Sequence, residues 1–286
     1  MIDAATPPVI AGLSEIASRY DAAICDVWGV VHNGREAFQG AIDAMRRFRD
    51  LRGPVVLLSN APRPEEGVRA MFDRLSIPQD FFDAIVTSGG EVRGDLLRRT
   101  AKGRTLQLFY LGPPRDHPLF EGLNVKVVGA EQAELVLCTG LYDDEKDAPD
   151  DYRAILETFK ARGLSFLCAN PDIVVQRGDR LIYCAGAIAR LYERIGGKVV
   201  YYGKPYAPVF KASLREARKR AKTTHPLVIG DGLETDILGA NRLSLDALFI
   251  SGGIHSAEFR DNPSALGDLL ASSGAHAIGV MPALMW

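Results

Sequence analysis

The chain has 286 residues, 47% apolar, 24% charged and 8% aromatic, the usage of an ordinary globular protein and not of a collagenous or wholly disordered one. Its formal net charge is −2, so no chain-wide field attracts a nucleic-acid backbone or an anionic membrane, and neither is expected as a partner. The length suits two domains or one large one. No apolar run reaches the ~18 residues that span a bilayer. The first basic residue is Arg19, so the chain start lacks the basic segment of a secretory signal and a cytoplasmic location is expected.

In chain order, a β-rich run over residues 22–27 precedes a helix-period segment over 41–51, with Ile42, Met45 and Phe48 on one stripe. A strand over 55–59 and a helix over 64–75 (Val68, Met71, Phe72, Leu75) follow, then strands over 84–87, 106–111 and 135–138. A helix over 151–161, a strand over 164–169, a helix over 185–195 and strands over 198–202, 227–229 and 247–250 complete the series. Strands alternating with helices predict a mainly parallel sheet covered on both faces, and continuous apolar runs such as Val55-Val56-Leu57-Leu58 agree with that cover. Residues 112–118 and the acidic turn 143–147 read as surface loops, the second as a solvated one without a metal. Cys25, Cys138, Cys168 and Cys184 show no metal-ligand spacing, and Cys25, Cys138 and Cys168, each in or at the end of an apolar strand-like run, are expected to be buried reduced thiols.

Ligands of an open parallel sheet bind beyond the carboxyl ends of its strands, so the polar residues there carry the functional reading. Asp26-Val27-Trp28-Gly29-Val30 ends the first strand, Ser59-Asn60 the second, Gly203-Lys204-Pro205 follows the run at 198–202, and Gly230-Asp231-Gly232 follows that at 227–229, with Asp236 close behind. Each alone is equally a helix cap or a turn. Together they place carboxylates, a hydroxyl with an adjoining amide and one ammonium at one end of a sheet. Carboxylate oxygens suit Mg²⁺, lysine suits phosphate charge, and an Asp can act as a nucleophile.

In this order, these four segments resemble the motifs of the haloacid dehalogenase superfamily, and more narrowly its subclass IIA, the NagD-like and p-nitrophenylphosphatase-like phosphatases. The resemblance runs from about Ala22 to Ile254 and includes Ala169-Asn170-Pro171-Asp172 and Cys184-Ala185-Gly186-Ala187. Its most specific element is Asp231 with Asp236-Ile237-Leu238-Gly239-Ala240. It implies an α/β fold: a Rossmann-like core of residues 1–88 and 200–286, with an inserted α/β cap of the C2 type at 89–199, and a homodimer through the cap. It further implies Asp26 as nucleophile and Mg²⁺ ligand, with Asp231 and the backbone carbonyl of Trp28 as the other protein ligands. Ser59 and the Asn60 amide would hold phosphoryl oxygens, Lys204 would balance their charge, and Asp236 would support the metal's water or Lys204. In the cap, Asn170, Asp172 and Arg177 are candidates to read the substrate. The expected activity is Mg²⁺-dependent hydrolysis of a small phosphorylated metabolite such as a sugar phosphate, through an aspartyl-phosphate, with the cap closing over the site.

Trp28 departs from the pattern, because family phosphatases carry there an Asp that protonates the leaving oxygen and activates water. Two alternatives therefore stand beside the phosphatase: a hydrolase of the same fold with another reaction type, including carbon–halogen cleavage, and a catalytically weakened protein that keeps the phosphate and metal pocket. His32, six residues after Asp26, is the candidate substitute acid, in competition with an ordinary loop histidine. His117, His225, His255 and His276 have no motif context.

Overall fold

A computed structural model describes residues 7–177, 180–253 and 265–286; His255 and the end of the resembling stretch at Ile254 lie outside the described residues. The chain divides into two compact units, one of Met1–Ser59, Arg69–Val86 and Lys204–Trp286, the other of Asn60–Val68 and Thr87–Gly203. Where the sequence suggests breaks at 88/89 and 199/200, residues 60–68, 87–88 and 200–203 pack with the second unit.

In the first unit a short helix α1 (Ser14–Ala17) leads into β1 (Ala22–Asp26), every residue of which is buried. Helix α2 (Gln39–Leu51) buries Ala41, Ile42, Ala44, Met45 and Phe48, the stripe its period predicts. Strand β2 (Val55–Ser59), helix α3 (Glu65–Arg74) and strand β3 (Ala84–Thr87) follow. After the second unit the chain returns through a long helix over Ala207–Arg218, a strand over Pro226–Gly230, a single π turn at Leu233–Ile237 and a strand over Asp246–Ile250. A helix over Ala265–Ser273 and a strand over Gly279–Met281 end it.

In the second unit, helix α4 (Ser88–Arg99) precedes strands β4 (Leu106–Leu111), β5 (Val125–Val127) and β6 (Leu135–Cys138). Helix α5 (Arg153–Ala161), strands β7 (Ser165–Cys168), β8 (Val174–Arg177) and β9 (Arg180–Tyr183), helix α6 (Ala185–Arg194) and strand β10 (Lys198–Tyr201) complete it. Continuing the numbering, the later elements are α7 (Ala207–Arg218), β11 (Pro226–Gly230), α8 (Leu238–Asn241), β12 (Asp246–Ile250), α9 (Ala265–Ser273) and β13 (Gly279–Met281).

The first unit's sheet has six strands in the order β13-β12-β11-β1-β2-β3, and β1 pairs in parallel with both β2 and β11. The strand order grows to one side of β1 through β2 and β3 and to the other through β11, β12 and β13, so the switch point, where a crevice forms beyond the strand ends, lies between β1 and β11 in the middle of the sheet. One side of the sheet packs Ile24, Val56, Val228 and Phe249 against Val209 and Phe210 of α7. The second unit has its own five-stranded sheet, β10-β7-β6-β4-β5, with all adjacent pairs parallel, and a separate antiparallel β8-β9 pair. Val136, Leu156, Phe159, Phe166, Ile188 and Tyr192 form its core. This is the expected mixed α/β architecture, Rossmann-like in its first unit.

Some elements were not legible as periodic segments. In α4 the apolar stripe is only Val92 and Leu96, and two glycines open the helix. In α7 a proline reads as a breaker, yet Pro208 sits in the first turn, where its missing N–H has no helical partner anyway. The acidic turn differs from expectation. Asp144 is only 11% exposed and accepts hydrogen bonds from Arg115 at 2.6 Å and Arg177 at 2.9 Å, so it is an ion-paired anchor and Arg177 is engaged within it. Cys25, Cys138 and Cys168 are buried free thiols, as their apolar context predicts, and Cys184 is one as well. Among the described residues no helix is long and apolar enough to cross a membrane.

Candidate active site

The parallel register sets the site. Asp26, the last residue of β1, pairs with Leu58 on β2, one residue before Ser59, while Cys25 pairs with Ile229 on β11, two residues before Asp231. Three neighbouring strands thus deliver Asp26, Ser59 and Asp231 at the same end, each buried to 7% exposure or less. The π turn after Gly232 brings Asp236 back over this end. Its amide donates to the Gly232 carbonyl at 2.8 Å, and its carboxylate accepts from the Gly232 amide at 3.2 Å.

Lys204 closes the group. Its ammonium lies 2.6 Å from Asp26 Oδ1 and 2.8 Å from Asp236 Oδ1, with all three side chains at most 7% exposed. Asp26 Oδ1 also accepts the Val27 amide at 2.7 Å, so two donors on one oxygen fix the carboxylate. Burial, and after it the charge of Asp26, pushes the Asp236 carboxyl up to about 6, against the lowering effect of Lys204. The Cys25 thiol is driven well above its ordinary range, first by burial and then by Asp26, and is inert there.

Ligand atoms of Asp26, Asp231 and Asp236 lie within 4.8 Å of one another. Three carboxylates against one ammonium leave negative charge in a buried place, and the donors are all hard oxygens, so the residues fit a small divalent cation. Gly29 makes room for the arrangement. Its φ is +87°, and a Cβ there would lie 2.0 Å from Asp231 Oδ2, so only glycine lets the peptide after Trp28 come this close to the carboxylate.

The Trp28 side chain turns into an aromatic row. Its indole covers Gly34, whose added Cβ would meet Trp28 Cη2 at 2.5 Å, and it meets the His32 ring edge-on at 5.1 Å. His32 continues the row to Phe72 at 6.1 Å. This corrects the expectation for His32: burial, with a smaller contribution from Arg74, lowers its pKa to about 4, so it carries no acidic proton for catalysis near neutrality. Its Nδ1 accepts the Gly34 amide at 3.0 Å, which leaves the ring's proton on Nε2.

In the second unit, Asn60, Asn170 and Asp172 form one cluster. Asn60 Nδ2 donates to Asp172 Oδ1 at 2.7 Å, and the Asp172 amide donates to Asn170 Oδ1 at 3.1 Å. The Asn170 side chain also bonds the Cys184 thiol. Sequence reasoning missed Arg63 and Asp116. Asp116 is 1% exposed and ion-paired with Arg63, and a buried partner inside a polar, proline-rich loop leaves no periodic signal.

A carboxylate–lysine centre at the switch point of a parallel sheet is the site of a hydrolase of mixed α/β fold built around an aspartate. The profile described as haloacid dehalogenase-like hydrolase matches residues 23–126, and that described as HAD-hydrolase-like matches 201–277. A solved haloacid dehalogenase-like hydrolase from Brucella suis 1330 is 42% identical, with a TM-score of 0.85 and cover of 97% of this chain and 100% of that one. Ribonucleotide monophosphatase NagD of Escherichia coli (strain K12) is 26% identical over 242 residues, 84% of this chain and 90% of its own. The fold is shared with the glycerol phosphate phosphatase of Mycobacterium tuberculosis, solved in complex with magnesium, at 22% identity, a TM-score of 0.63 and cover of 88% and 73%. The chain belongs to the haloacid dehalogenase-like hydrolases, in their NagD-like subclass IIA.

Proposed function

We propose that the protein is a Mg²⁺-dependent phosphatase of small phosphorylated metabolites, sugar phosphates among them. The observation that carries this reading is the buried Lys204 ammonium bridging Asp26 and Asp236 beside Asp231. Phosphatase names among the relatives, and magnesium in one structural neighbour, support it.

In this reading Asp26 attacks phosphorus, an Oδ–P bond forms as the ester P–O bond breaks, and the leaving oxygen takes its proton from solvent water. Water then attacks phosphorus, the Oδ–P bond breaks, and inorganic phosphate and a proton leave as the Asp26 carboxylate is restored. Two donors on Oδ1 hold the carboxylate for attack, which lowers the entropic part of the barrier. Lys204 offsets charge on the phosphoryl group, Ser59 and the Asn60 amide bind its oxygens, and Asp236 holds Lys204 in place. Asp26, Asp231 and the Trp28 carbonyl would hold Mg²⁺, which supplies electrostatic stabilisation of the phosphoryl oxygens.

Trp28 supports a second reading, a phosphate- and metal-binding protein with little turnover, since an indole neither donates an acidic proton to an alkoxide nor activates water. A screen of phosphorylated metabolites with Mg²⁺ and with EDTA, run beside Asp26→Asn, separates the two. Turnover that needs Mg²⁺ and disappears in Asp26→Asn is expected. Tight phosphate-ester binding without turnover would favour the second reading, and full activity in Asp26→Asn would overturn the first.

A further inference from the structure

We propose that Asp172 is a positioning residue for the phosphoryl-binding turn, acting through Asn60, and not a reader of the substrate's leaving group. The inference rests on the reading of Ser59 and the Asn60 amide as ligands of phosphoryl oxygens.

The Asp172 main chain is held by hydrogen bonds on both sides. Its own amide closes a turn onto Asn170 Oδ1 at 3.1 Å, and its carbonyl accepts the Gly186 amide at 3.2 Å at the start of α6. One residue on, the Ile173 carbonyl accepts the Cys184 amide at 2.9 Å. Asn170 is itself 8% exposed and bonded to the Cys184 thiol, so the turn has little freedom. The main chain that carries the carboxylate is thus held on both sides, and the carboxylate accepts Asn60 Nδ2 at 2.7 Å.

The other end of the Asn60 carboxamide is confined as well. Gly203 has a φ of +112°, and a Cβ on it would fall 2.4 Å from Asn60 Oδ1 and 2.9 Å from both Pro171 Cδ and Ser88 Oγ. Ser88 Oγ in turn donates to the Tyr202 carbonyl, tying the segment before Gly203 to the start of α4. One end of the carboxamide therefore bonds Asp172 and the other abuts Gly203. Fixing that side chain fixes the Asn60 main chain, and with it the peptide joined to Ser59. A phosphoryl group is common to every substrate, so the contribution of Asp172 is the same whatever the leaving group.

The test measures kcat and KM for wild type, Asp172→Ala, Asp172→Asn, Asn60→Ala and the Asn60→Ala/Asp172→Ala double variant. Substrates are p-nitrophenyl phosphate and at least two alkyl phosphates, with inorganic phosphate as competitive inhibitor and thermal unfolding as the check on folding. Asp172→Ala is expected to lower kcat/KM about tenfold by one common factor for all substrates, the size of one lost hydrogen bond to a charged group, and to weaken phosphate inhibition. Asp172→Asn keeps an acceptor oxygen and recovers most of the loss. In the Asn60→Ala background, Asp172→Ala has no further effect. If Asp172→Ala does not fold, Asn60→Ala removes the same bond from its other side and must show the same leaving-group-independent loss.

Losses that differ between leaving groups with phosphate inhibition unchanged, or additive effects in the double variant, overturn the inference and leave the phosphatase reading intact. A folded wild type that hydrolyses no phosphate monoester overturns that reading and the inference with it.

Discussion

Gly29 and Asp231 approach so closely that a Cβ on Gly29 would sit 2.0 Å from Asp231 Oδ2, at a backbone φ of +87°. The contact ties the peptide after Trp28 to the carboxylate that follows β11, two of the groups assigned to the metal. Gly29→Ala must therefore displace one or the other. It should raise the Mg²⁺ concentration for half-maximal activity at least about tenfold, the range seen when support of a metal ligand is lost. Asp231→Ala should raise it further. Mg²⁺ titrations that match wild type in both variants would place the metal elsewhere.

Removing the ammonium of Lys204 leaves Asp26 and Asp236 facing each other in a buried site. Lys204→Met should cost about 3–5 kcal/mol, the usual penalty for an uncompensated buried charge. The loss has a pH signature. Without Lys204 both carboxylates are pushed towards protonation, so the variant should be less impaired at pH 5 than at pH 8 in urea unfolding. An equal deficit at both pH values would show that the ammonium does not hold these charges.

Trp28 gives no acid to the leaving oxygen, so wild type should hydrolyse aryl and acyl phosphates faster than alkyl phosphates at the chemical step. Trp28→Asp should raise the alkyl-to-aryl ratio of kcat/KM at least about tenfold. Loss of the indole from its place over Gly34 and beside His32 should cost ~3 kcal/mol, measured as a lower unfolding midpoint. A ratio unchanged in a folded variant would mean that another group already supplies the proton.

His32 predicts an acid-sensitive fold. Its folded pKa of about 4 lies below the ordinary 6.5, so the unfolded chain binds the proton first as pH falls. Stability from His32 is complete above about pH 6.5 and declines down to about pH 4. Between pH 7.5 and 4.5 this amounts to about 2 kcal/mol. In His32→Gln the drop in unfolding free energy over that interval should shrink by about this amount. A drop identical to wild type would mean that other groups carry the acid sensitivity.

The chain's own order of residues determined much of the molecule. The nine strands it implied all form, because apolar runs such as Val55–Ser59 have no stable place except a sheet covered on both faces. Asp26, Ser59, Lys204 and Asp231 were visible as polar residues following such runs, since a strand that ends in a carboxylate or hydroxyl projects it into the crevice. Strands β5, β8, β9 and β13 were not visible, being only three or four residues long, the first three of them with a mixture of polar and apolar residues. What only the tertiary structure decided are relationships across long sequence distances. Lys204 reaches Asp26 across 178 residues because the chain, on its return after Gly203, enters α7, whose Val209 and Phe210 pack with Ile24 of β1 and Val56 of β2. Asn60 meets Asp172 at a separation of 112 residues because a turn anchored on α6 lies against the segment after β2. The fate of His32 was likewise a matter of packing: a loop histidine by sequence becomes a neutral member of an aromatic row once Trp28 and Phe72 exclude water from it. Local pattern fixes which residues face inward and where strands end. Which distant side chains then meet, and what that does to their protons, follows from strand order and burial.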